Sequence, residues 1–326
     1  MLRKSPQNFE RSDAPRSAVE TTHTHVLEMV KRGGHNNVGT RMNFKKLCGW
    51  LVVSWLGVGI GFAEISVTNR PFPGIAIFSE TRTNPPQRLF VAEIDLTHPK
   101  VRLRVAPGGP DPDGAGKWET TLMRPTKIAA REKFDLVVNG DFYEVPRAQD
   151  GASNVTSQVA GWAAVSGPAA SAGQVWSTSA APRPCLVVDK AGKVSIRRLR
   201  EPRTNDWEVV AGNVMLVRDG QAVLHENKTR HPRTVVGLNR DATRMILLIV
   251  DGRKRGVALG MNYDELAAEL LRLGCHTALN LDGGGSSVLA VRDAAQDEFK
   301  ILNAPTDGRE RAVANVLGIS VDAPRP

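Results

Sequence analysis

The sequence LNLDGGGSSV, residues Leu279 to Val288, is the stretch around which we expect the fold to be organised. The mostly apolar residues before Asp282 are typical of a buried strand, which would deliver that carboxylate to its end. Glycine has no Cβ, so the backbone at 283–285 can take positive φ and let another group approach closely. Consecutive N–H groups in such a run can also form a concave anion site. A tight turn or bulge between two strands is the alternative.

This glycine run differs from the phosphate-binding loop of nucleoside triphosphatases. No Lys follows the glycines, and residues 286–291 have the pattern of a strand rather than of the helix that such a loop opens. The sequence therefore argues against binding of a nucleoside triphosphate.

Composition and charge set limits on the class of protein. The chain has 326 residues, of which 41% are hydrophobic, so it is long enough for one large domain or two small ones. Its formal net charge is +9, but residues 1–63 contribute five of these charges, and the remainder is spread over the rest of the chain. Such a distribution lacks the clustered basic surface of a nucleic-acid-binding protein.

The segment 42–63 has the order of a secretory signal. Basic residues at 45–46 precede an apolar run at 47–62, and small residues follow up to Ala63, where we predict cleavage. The protein is then exported, either periplasmic or secreted, and meets the membrane only through this segment. A membrane anchor is the alternative, although the run is short for a span. Residues 1–41 are predicted to be a disordered extension or to lie upstream of a true start at Met42.

We expect residues 64–326 to form a single catalytic domain. Two of its residues are cysteines, Cys185 and Cys275. In an exported protein they could form one disulfide, or they could be two buried free thiols.

The apolar periodicity predicts a mixed fold. Period-two alternation over 74–105 indicates an antiparallel meander, and a helix is expected over 120–133. Near the C-terminus a strand at 245–250, a helix over 263–273 and a strand at 277–281 form a βαβ unit, in which the two strands would be parallel neighbours. The predicted class is therefore α+β or mixed α/β, with a central mixed sheet that holds this unit and antiparallel strands before it.

Three acidic residues follow predicted strands. Asp251 and Asp282 would lie at the same edge of a parallel sheet, where open sheets bind ligands, and Asp141 ends its strand (134–138) in the same manner. A lone Asp-Gly after a strand is ordinarily a turn. Three carboxylates in one cluster would share protons, bind a divalent cation or face arginines. His225 and His231 are interpreted as surface histidines rather than as metal ligands.

Five short motifs occur in order between about Arg88 and Val321. They are Asn139-Gly140-Asp141-Phe142-Tyr143, Pro232-Arg233-Thr234 with Gly237, Val250-Asp251-Gly252-Arg253, Leu281 to Ser286, and Asn303 to Asp307 with Arg311 to Asn315. Together they resemble the phosphodiester glycosidase family, which contains the uncovering enzyme of mannose 6-phosphate tags and exported bacterial proteins linked to exopolysaccharide. The family more often has a second Gly where this chain has Asp141.

The resemblance implies hydrolysis of a sugar 1-phosphodiester, of the N-acetylglucosamine type, between the anomeric carbon and the phosphate oxygen. Asp282, Asp251 and Asp141 are then the candidate catalytic residues. The candidate substrate-binding residues are Gly283, Gly284, Gly285 and Ser286 with Arg233 or Arg311 for the phosphate; Asn139, Tyr143 and Asn315 for the sugar; and Thr234, Arg253 and Asp307. A structural ion pair between Arg233 and Asp251 is an alternative. This chemistry requires no cofactor, although Ca²⁺ or Mg²⁺ held by the acids is a further alternative.

Two other functions stay open at this stage. One is a non-hydrolytic glycan-binding factor that assists polysaccharide synthesis. The other is a metal-dependent phosphodiesterase or phosphatase that cleaves the P–O bond. The partner expected is a glycan or sugar phosphodiester, with no nucleic acid, and the sequence indicates no oligomeric state.

Overall fold

The computed structural model describes residues 63–65, 68–146 and 161–321, which belong to one compact unit spanning residues 58–326. The predicted extension 1–41 and, apart from Ala63, the predicted signal segment 42–63 lie outside the described residues. Across the described ranges, no helix combines the length and the apolar character needed to cross a membrane.

The described chain folds into 22 β-strands, two α-helices and one short 3₁₀ helix. In the first half the strands are β1 (Ala63–Ile65), β2 (Asn69–Phe72), β3 (Ile75–Thr83), β4 (Pro86–Asp95), β5 (Val101–Pro107), β6 (Thr120–Thr121), β7 (Leu136–Asn139), β8 (Tyr143–Glu144), β9 (Trp162–Val165), β10 (Ala169–Ser171) and β11 (Gln174–Ser177). In the second half they are β12 (Arg183–Asp189), β13 (Val194–Leu199), β14 (Asp206–Ala211), β15 (Val214–Arg218), β16 (Gln221–Ala222), β17 (Arg233–Leu238), β18 (Arg244–Val250), β19 (Thr277–Asn280), β20 (Leu289–Asp293), β21 (Glu298–Ile301) and β22 (Asn315–Val321). The helices are α1 (Pro125–Glu132), α2 (Tyr263–Arg272) and the 3₁₀ helix Gly284–Ser286.

The strands form four antiparallel sheets. The largest has nine strands in the order β1-β3-β4-β18-β17-β19-β15-β16, with β2 paired to β3. Two sheets have five strands each, in the orders β21-β20-β7-β22-β5 and β11-β10-β14-β12-β13, and a small sheet has the order β6-β9-β8. The main apolar core lies between the nine-stranded sheet and the five-stranded sheets. Helix α2 covers the other face of the large sheet, and α1 covers that of the sheet that contains β7.

The predicted mixed α/β class is wrong, because the protein is mostly β and its sheets are antiparallel. Helix α2 does connect β18 to β19, and the two strands point the same way. However, β17 lies between them and pairs antiparallel with both, so they are not parallel neighbours. The expected meander is also only partly formed, because β3 pairs with β4 whereas β5 pairs with β22 in another sheet.

The wrong class has a physical cause in strand β18. Its odd-numbered residues 245–249 face the core between the sheets, and its even-numbered residues 246–250 face α2. A strand that is buried on both faces reads as one continuous apolar run, which is typical of parallel sheets. Here β18 is covered by helix α2 on one face and by another antiparallel sheet on the opposite face.

The two helices differ in how well their first residues could be predicted from the sequence. Asn262 caps α2, because its side chain accepts from the N–H of Glu265 while the Glu265 side chain accepts from the N–H of Asn262. The first helix was expected from residue 120, but it begins at Pro125, and Thr120 and Thr121 form β6 instead. Proline suits the first helical position, where its missing N–H costs nothing.

Cys185 and Cys275 are both buried and free. They belong to different apolar clusters, one around β12 and β14 and the other beneath α2. The predicted alternatives were one disulfide or two buried free thiols, and the structure contains the two free thiols.

Candidate active site

Asp282 lies just beyond the end of β19. It is the first residue of the glycine loop, by which we mean residues 282–286. Its N–H donates to the carbonyl of Gly140 (3.0 Å), and its carbonyl accepts from Nδ2 of Asn139 (2.7 Å). These bonds join the end of β19 to the end of β7, which belongs to a different sheet. The Asp282 residue is half-buried and therefore remains accessible from solvent.

Asn139 fixes this junction. Its Oδ1 accepts from Oγ1 of Thr234 (2.7 Å) and from the N–H of Val288 (3.3 Å), while its Nδ2 holds Asp282. The side chain is fully buried. A sugar contact was predicted for Asn139; in the structure its side chain is turned to protein partners, which are Asp282, Thr234 and Val288.

Burial raises the pKa of the Asp282 carboxyl to about 6. The hydrogen bonds from Ser286 and from the N–H of Gly283, and the positive charge of Arg311, oppose this shift. The Gly283 N–H lies 2.8 Å from Oδ1 of Asp282. At neutral pH the Asp282 carboxyl is therefore mostly ionised, and its pKa lies close to the pH. A carboxylate with such a pKa suits the role of a base or a nucleophile.

Asp141 is buried close to Asp282 and behaves differently. Its Oδ2 accepts from Nδ2 of Asn315 (2.8 Å), and its Oδ1 accepts from the N–H of Ala211 (3.0 Å). Burial, followed by the negative charges of Asp282 and Glu119, raises the pKa of Asp141 to about 8. The two neighbouring acids thus have separated pKa values, which is the pattern of carboxyl pairs with distinct roles.

Asn315 and Tyr143 complete the surroundings of the acids. Asn315 is fully buried, and besides its bond to Asp141 its Oδ1 accepts from the Asp141 N–H (2.8 Å), so both ends of its amide hold Asp141. Tyr143 is half-buried, and its hydroxyl donates to the carbonyl of Ala312 (3.1 Å). Its pKa is raised by burial and by the Asp282 charge, while Ser286 and Arg311 act in the opposite direction.

Sequence reasoning missed Glu119. This residue accepts from the N–H of Val165 (3.2 Å), its pKa is raised mainly by burial, and its charge raises the pKa of Asp141. It precedes the two-residue strand β6 inside a polar stretch, where no periodicity marks it. Only the later part of the chain, at β9, brings it to the site.

The glycine loop carries Arg311 on its surface. A Cβ atom at Gly285 would lie 2.0 Å from Nη2 of Arg311, so the guanidinium rests directly on the glycine backbone. The same guanidinium is paired with Asp307, through Nη2 (2.8 Å) and Nε (2.9 Å). Ser286 is buried beside Asp282 at the end of the loop. The predicted phosphate contacts Gly283 to Ser286 and Arg311 thus come together around Asp282.

Asp251 lies at the end of β18 but is occupied by other partners. Its carboxylate accepts from the N–H of Ala304 (3.0 Å) and from Nδ2 of Asn303 (3.3 Å). Burial raises its pKa, and Lys254 and Arg88 are the nearby positive charges. Among the described residues, no three His, Cys, Asp or Glu side chains are grouped so that they could hold a metal ion. The cluster of three acids expected from the sequence is therefore a pair, Asp282 and Asp141, with Asp251 apart.

Arg233 does not pair with Asp251. Its Nε donates to the carbonyl of Met261 (3.1 Å), its Nη2 donates to that of Thr229 (3.2 Å), and its guanidinium lies 4.2 Å above the ring of Tyr263. Arg253 is exposed and lies beside His231. His231 was interpreted as an ordinary surface histidine, whereas the structure places it between two arginines.

A small cavity of about 230 Å³ opens beside Asp141. Its lining residues are Asp141, Phe142, Ser166, Gly167, Arg183, Gly212 and Asn213. A larger cavity of about 920 Å³ lies between β5 and the β12–β13 hairpin, and none of the candidate residues lines it. Of the candidate site residues, only Asp141 lines the smaller one.

Solved structures with the same fold include two with informative names. The catalytic domain of zebrafish N-acetylglucosamine-1-phosphodiester alpha-N-acetylglucosaminidase, auto-inhibited by its pro-peptide, is 18% identical with a TM-score of 0.54, over 79% of this chain and 83% of that one. A putative exported protein from Burkholderia pseudomallei is 14% identical with a TM-score of 0.57, over 81% of this chain and 98% of that one. At these identities the likeness establishes the fold alone.

Two sequence comparisons add to this. The SPbeta prophage-derived uncharacterized protein YomE of Bacillus subtilis (strain 168) is 40% identical over 91 residues, which are 28% of this chain and 13% of that protein. The model of the phosphodiester glycosidase family matches residues 132–320, a range that holds Asp141, Asp282, Arg311 and Asn315. Because this match covers more than half of the chain, the protein belongs to the phosphodiester glycosidase family.

Proposed function

We propose that this protein is an exported hydrolase that cleaves a sugar 1-phosphodiester at the bond between the anomeric carbon and the phosphate oxygen. Membership of the family supports a glycosidase or phosphodiester hydrolase. The observation that carries the finer assignment is the placement of Asp282: a half-buried acid at the edge of a glycine loop on which Arg311 lies.

The phosphate is assigned to the loop and to Arg311. Backbone N–H groups and a guanidinium are suitable partners for a phosphodiester, and Arg binds phosphate oxygens in a bidentate manner. Asp307 holds the Arg311 guanidinium over Gly285, which orients it before a ligand arrives. In the reaction, this arrangement stabilises the charge that collects on the departing phosphate.

Asp282 is assigned to the anomeric carbon. The C–O bond breaks with its electron pair leaving on the phosphate oxygen, and the sugar passes through an oxocarbenium-like state. Asp282 either takes a proton from the water that attacks this carbon or attacks it first and is then released by water. In both cases the products are a sugar hydroxyl and a phosphate monoester. A phosphate leaves readily as an anion, so the reaction does not demand a strong general acid.

Asp141 is assigned a supporting role. As a buried acid with a pKa near 8 it is protonated at neutral pH, which keeps a second negative charge away from Asp282. Ionised Asp141 would oppose both the Asp282 carboxylate and an incoming phosphodiester. Asn315 and Ala211 hold it in place.

The substrate is proposed to be an N-acetylglucosamine 1-phosphodiester linked to envelope glycans or exopolysaccharide. The name of the zebrafish relative supports the sugar. The description of the Burkholderia protein as exported agrees with the signal segment predicted at 42–63. Mass analysis of the mature N-terminus would test export, because cleavage after Ala63 leaves Glu64 as the first residue.

The bond that breaks can be read with oxygen-18 water. The purified protein is incubated with N-acetylglucosamine 1-phosphodiesters, and the label is located by mass spectrometry. We expect the label in the sugar hydroxyl. Asp282→Asn should lower kcat by about 10²- to 10⁴-fold, the range lost with a catalytic acid or base. The matched control is Asp219→Asn, the same change on an exposed turn, which should leave kcat unchanged.

Other results would point to other functions. Label in the phosphate, with activity lost on chelation, would make the protein a metal-dependent phosphodiesterase. Binding without turnover on a broad glycan panel, unaffected by Asp282→Asn, would make it a glycan-binding factor.

A further inference from the structure

A second group of basic side chains, two arginines and a histidine, lies next to the glycine loop and has no role in the reaction proposed above. It consists of Arg233, His231 and Arg253. Nη2 of Arg253 is 3.4 Å from Nδ1 of His231. After burial, the charges of Arg233 and Arg253 are the causes that lower the pKa of His231, and the charge of Arg253 also lowers the pKa of Arg233. The three groups are therefore close enough to repel one another.

Repulsion of this kind is usually relieved by acids, and here it is not. Within the described ranges, no carboxylate lies at ion-pair distance from Arg233 or Arg253, and Arg233, which is only 5% exposed, is held by two backbone carbonyls and the Tyr263 ring, none of which carries a full negative charge. By contrast, two cations at neighbouring positions are paired, Lys228 with Asp264 and Arg230 with Glu265. Burying a charge without a counter-charge is costly, so a protein that retains one gains from an anion supplied by a ligand.

The backbone connects this group to the reaction site. The carbonyl of Pro232, between His231 and Arg233, accepts from the N–H of Gly284 (2.9 Å). Gly284 has φ +62°, and a Cβ there would lie 3.1 Å from Nη2 of Arg253. Arg253 therefore lies over Gly284 as Arg311 lies over Gly285. Since consecutive Cα atoms are only about 3.8 Å apart, the two guanidinium groups lie over adjacent residues of the loop.

The two guanidinium groups differ in charge balance. Arg311 is neutralised by Asp307, and it lies on the side of Asp282, Ser286 and Tyr143. Arg253 is accompanied by two further basic groups and, in the part of the chain that the structure describes, by no acid at ion-pair distance. A single phosphodiester at Arg311 would leave the cations around Arg253 without a partner.

We infer that Arg233, His231 and Arg253 form a second anion subsite, which binds an anionic group of the substrate other than the scissile phosphodiester. The inference rests on the proposed function and names its substrate class. That class is a sugar 1-phosphodiester whose aglycone carries a further phosphate or carboxylate near the scissile link, as in a glycan with repeated anionic groups.

The first test uses inorganic phosphate as the probe and the imidazole of His231 as the reporter, followed by NMR and assigned with His231→Gln. A bound anion favours the imidazolium, so phosphate should raise the pKa of His231 by about one unit. The rise should persist in Arg311→Met, which lacks the reaction-site cation, and should disappear in Arg253→Met. Arg255→Met, which removes an exposed charge from the same loop, is the matched control and should retain the rise.

Two results of this titration would overturn the inference. One is the absence of any response in the wild-type protein. The other is a response that is lost in Arg311→Met but kept in Arg253→Met, which would place phosphate at the reaction site alone.

The second test compares two substrates that share the sugar and the scissile phosphodiester, one with an additional phosphate monoester on the aglycone. Arg253→Met should raise KM for the doubly charged substrate about tenfold more than for the singly charged one, as expected for loss of one charged contact. An equal increase for both would assign Arg253 to the scissile phosphate and overturn the inference. Absence of turnover on both would defeat the proposed function, and the titration would still decide the subsite.

Discussion

The guanidinium of Arg311 rests on the backbone of Gly285, at a position where a Cβ atom would lie 2.0 Å from Nη2. An Ala at this position must displace the side chain, and Arg311 is partly exposed and can move without disturbing the core. We therefore expect Gly285→Ala to lower kcat/KM about a hundredfold, the typical cost of losing one anion-stabilising group, with little change in Tm.

A double-mutant cycle checks this cause. Arg311→Met alone should lose as much activity as Gly285→Ala, and the double variant should lose no more than either, because both remove the same contact. Additive losses would show that Gly285 acts independently of Arg311.

The pH dependence of activity follows from the two acids near the loop. Asp282 must be ionised and Asp141 protonated, and their pKa values lie near 6 and near 8. We expect kcat/KM to rise through about pH 6 and to fall through about pH 8, with both limbs belonging to the pair as a unit. A profile that stays flat from pH 5 to 9 would contradict the assignment.

Stability should fall as pH rises, because the pKa of Asp141 is higher in the folded chain than the value of about 4 for an Asp in an unfolded chain. Between these values the unfolded chain has released a proton that the folded chain keeps, so raising the pH favours unfolding. Above pH 6 Asp282 contributes little further change, but Glu208, whose pKa burial raises to about 7, also loses its proton in this range, so the share of Asp141 is given by comparison with Asp141→Asn. Urea unfolding at pH 6 and pH 8.5 should show a loss in the wild-type protein and a smaller one in Asp141→Asn; equal losses would refute the prediction.

Asn139→Ala should damage both stability and activity. The substitution leaves the buried Asp282 carbonyl and the Thr234 hydroxyl without partners, at a cost of about 1–3 kcal/mol, and it frees the end of β19. Asn239→Ala is the matched control, because Asn239 makes comparable bonds to Thr243 and Arg244 in the turn between β17 and β18. Chemical unfolding and kcat/KM should show destabilisation in both variants but loss of activity only in Asn139→Ala.

Local elements of this fold could be predicted from sequence, whereas their arrangement could not. Helix α2 begins at residue 263 as predicted and ends one residue before the predicted end, because helical periodicity and capping depend on neighbouring residues. The position of β17 between β18 and β19 depends on which apolar faces meet across the molecule. Nothing within the strands themselves encodes that choice, so the unit was predicted as parallel.

The same division holds for the site. Asp282, Ser286 and Arg311 could be predicted as site residues because the five motifs in order resemble a known family. In the structure these three residues lie together. The role of Asp251 depended on its expected parallel neighbour, and the structure instead gives its carboxylate to Ala304 and Asn303. No motif in the sequence marks His231 or Glu119 as a site residue. Their proximity to other charged groups depends on residues that are distant in sequence.

The bond between Asn315 and Asp141 spans 174 positions of sequence and involves the first residue of β22, the last strand. Closing a loop of this length carries an entropic cost, which the pairing of β22 with β5 and β7 must offset. A chain that ends before β22 would contain Asp141 and Asp282 and still lack the Asn315 side chain that holds Asp141. The last described strand is thus a condition for assembling the acid pair, although both acids lie outside it.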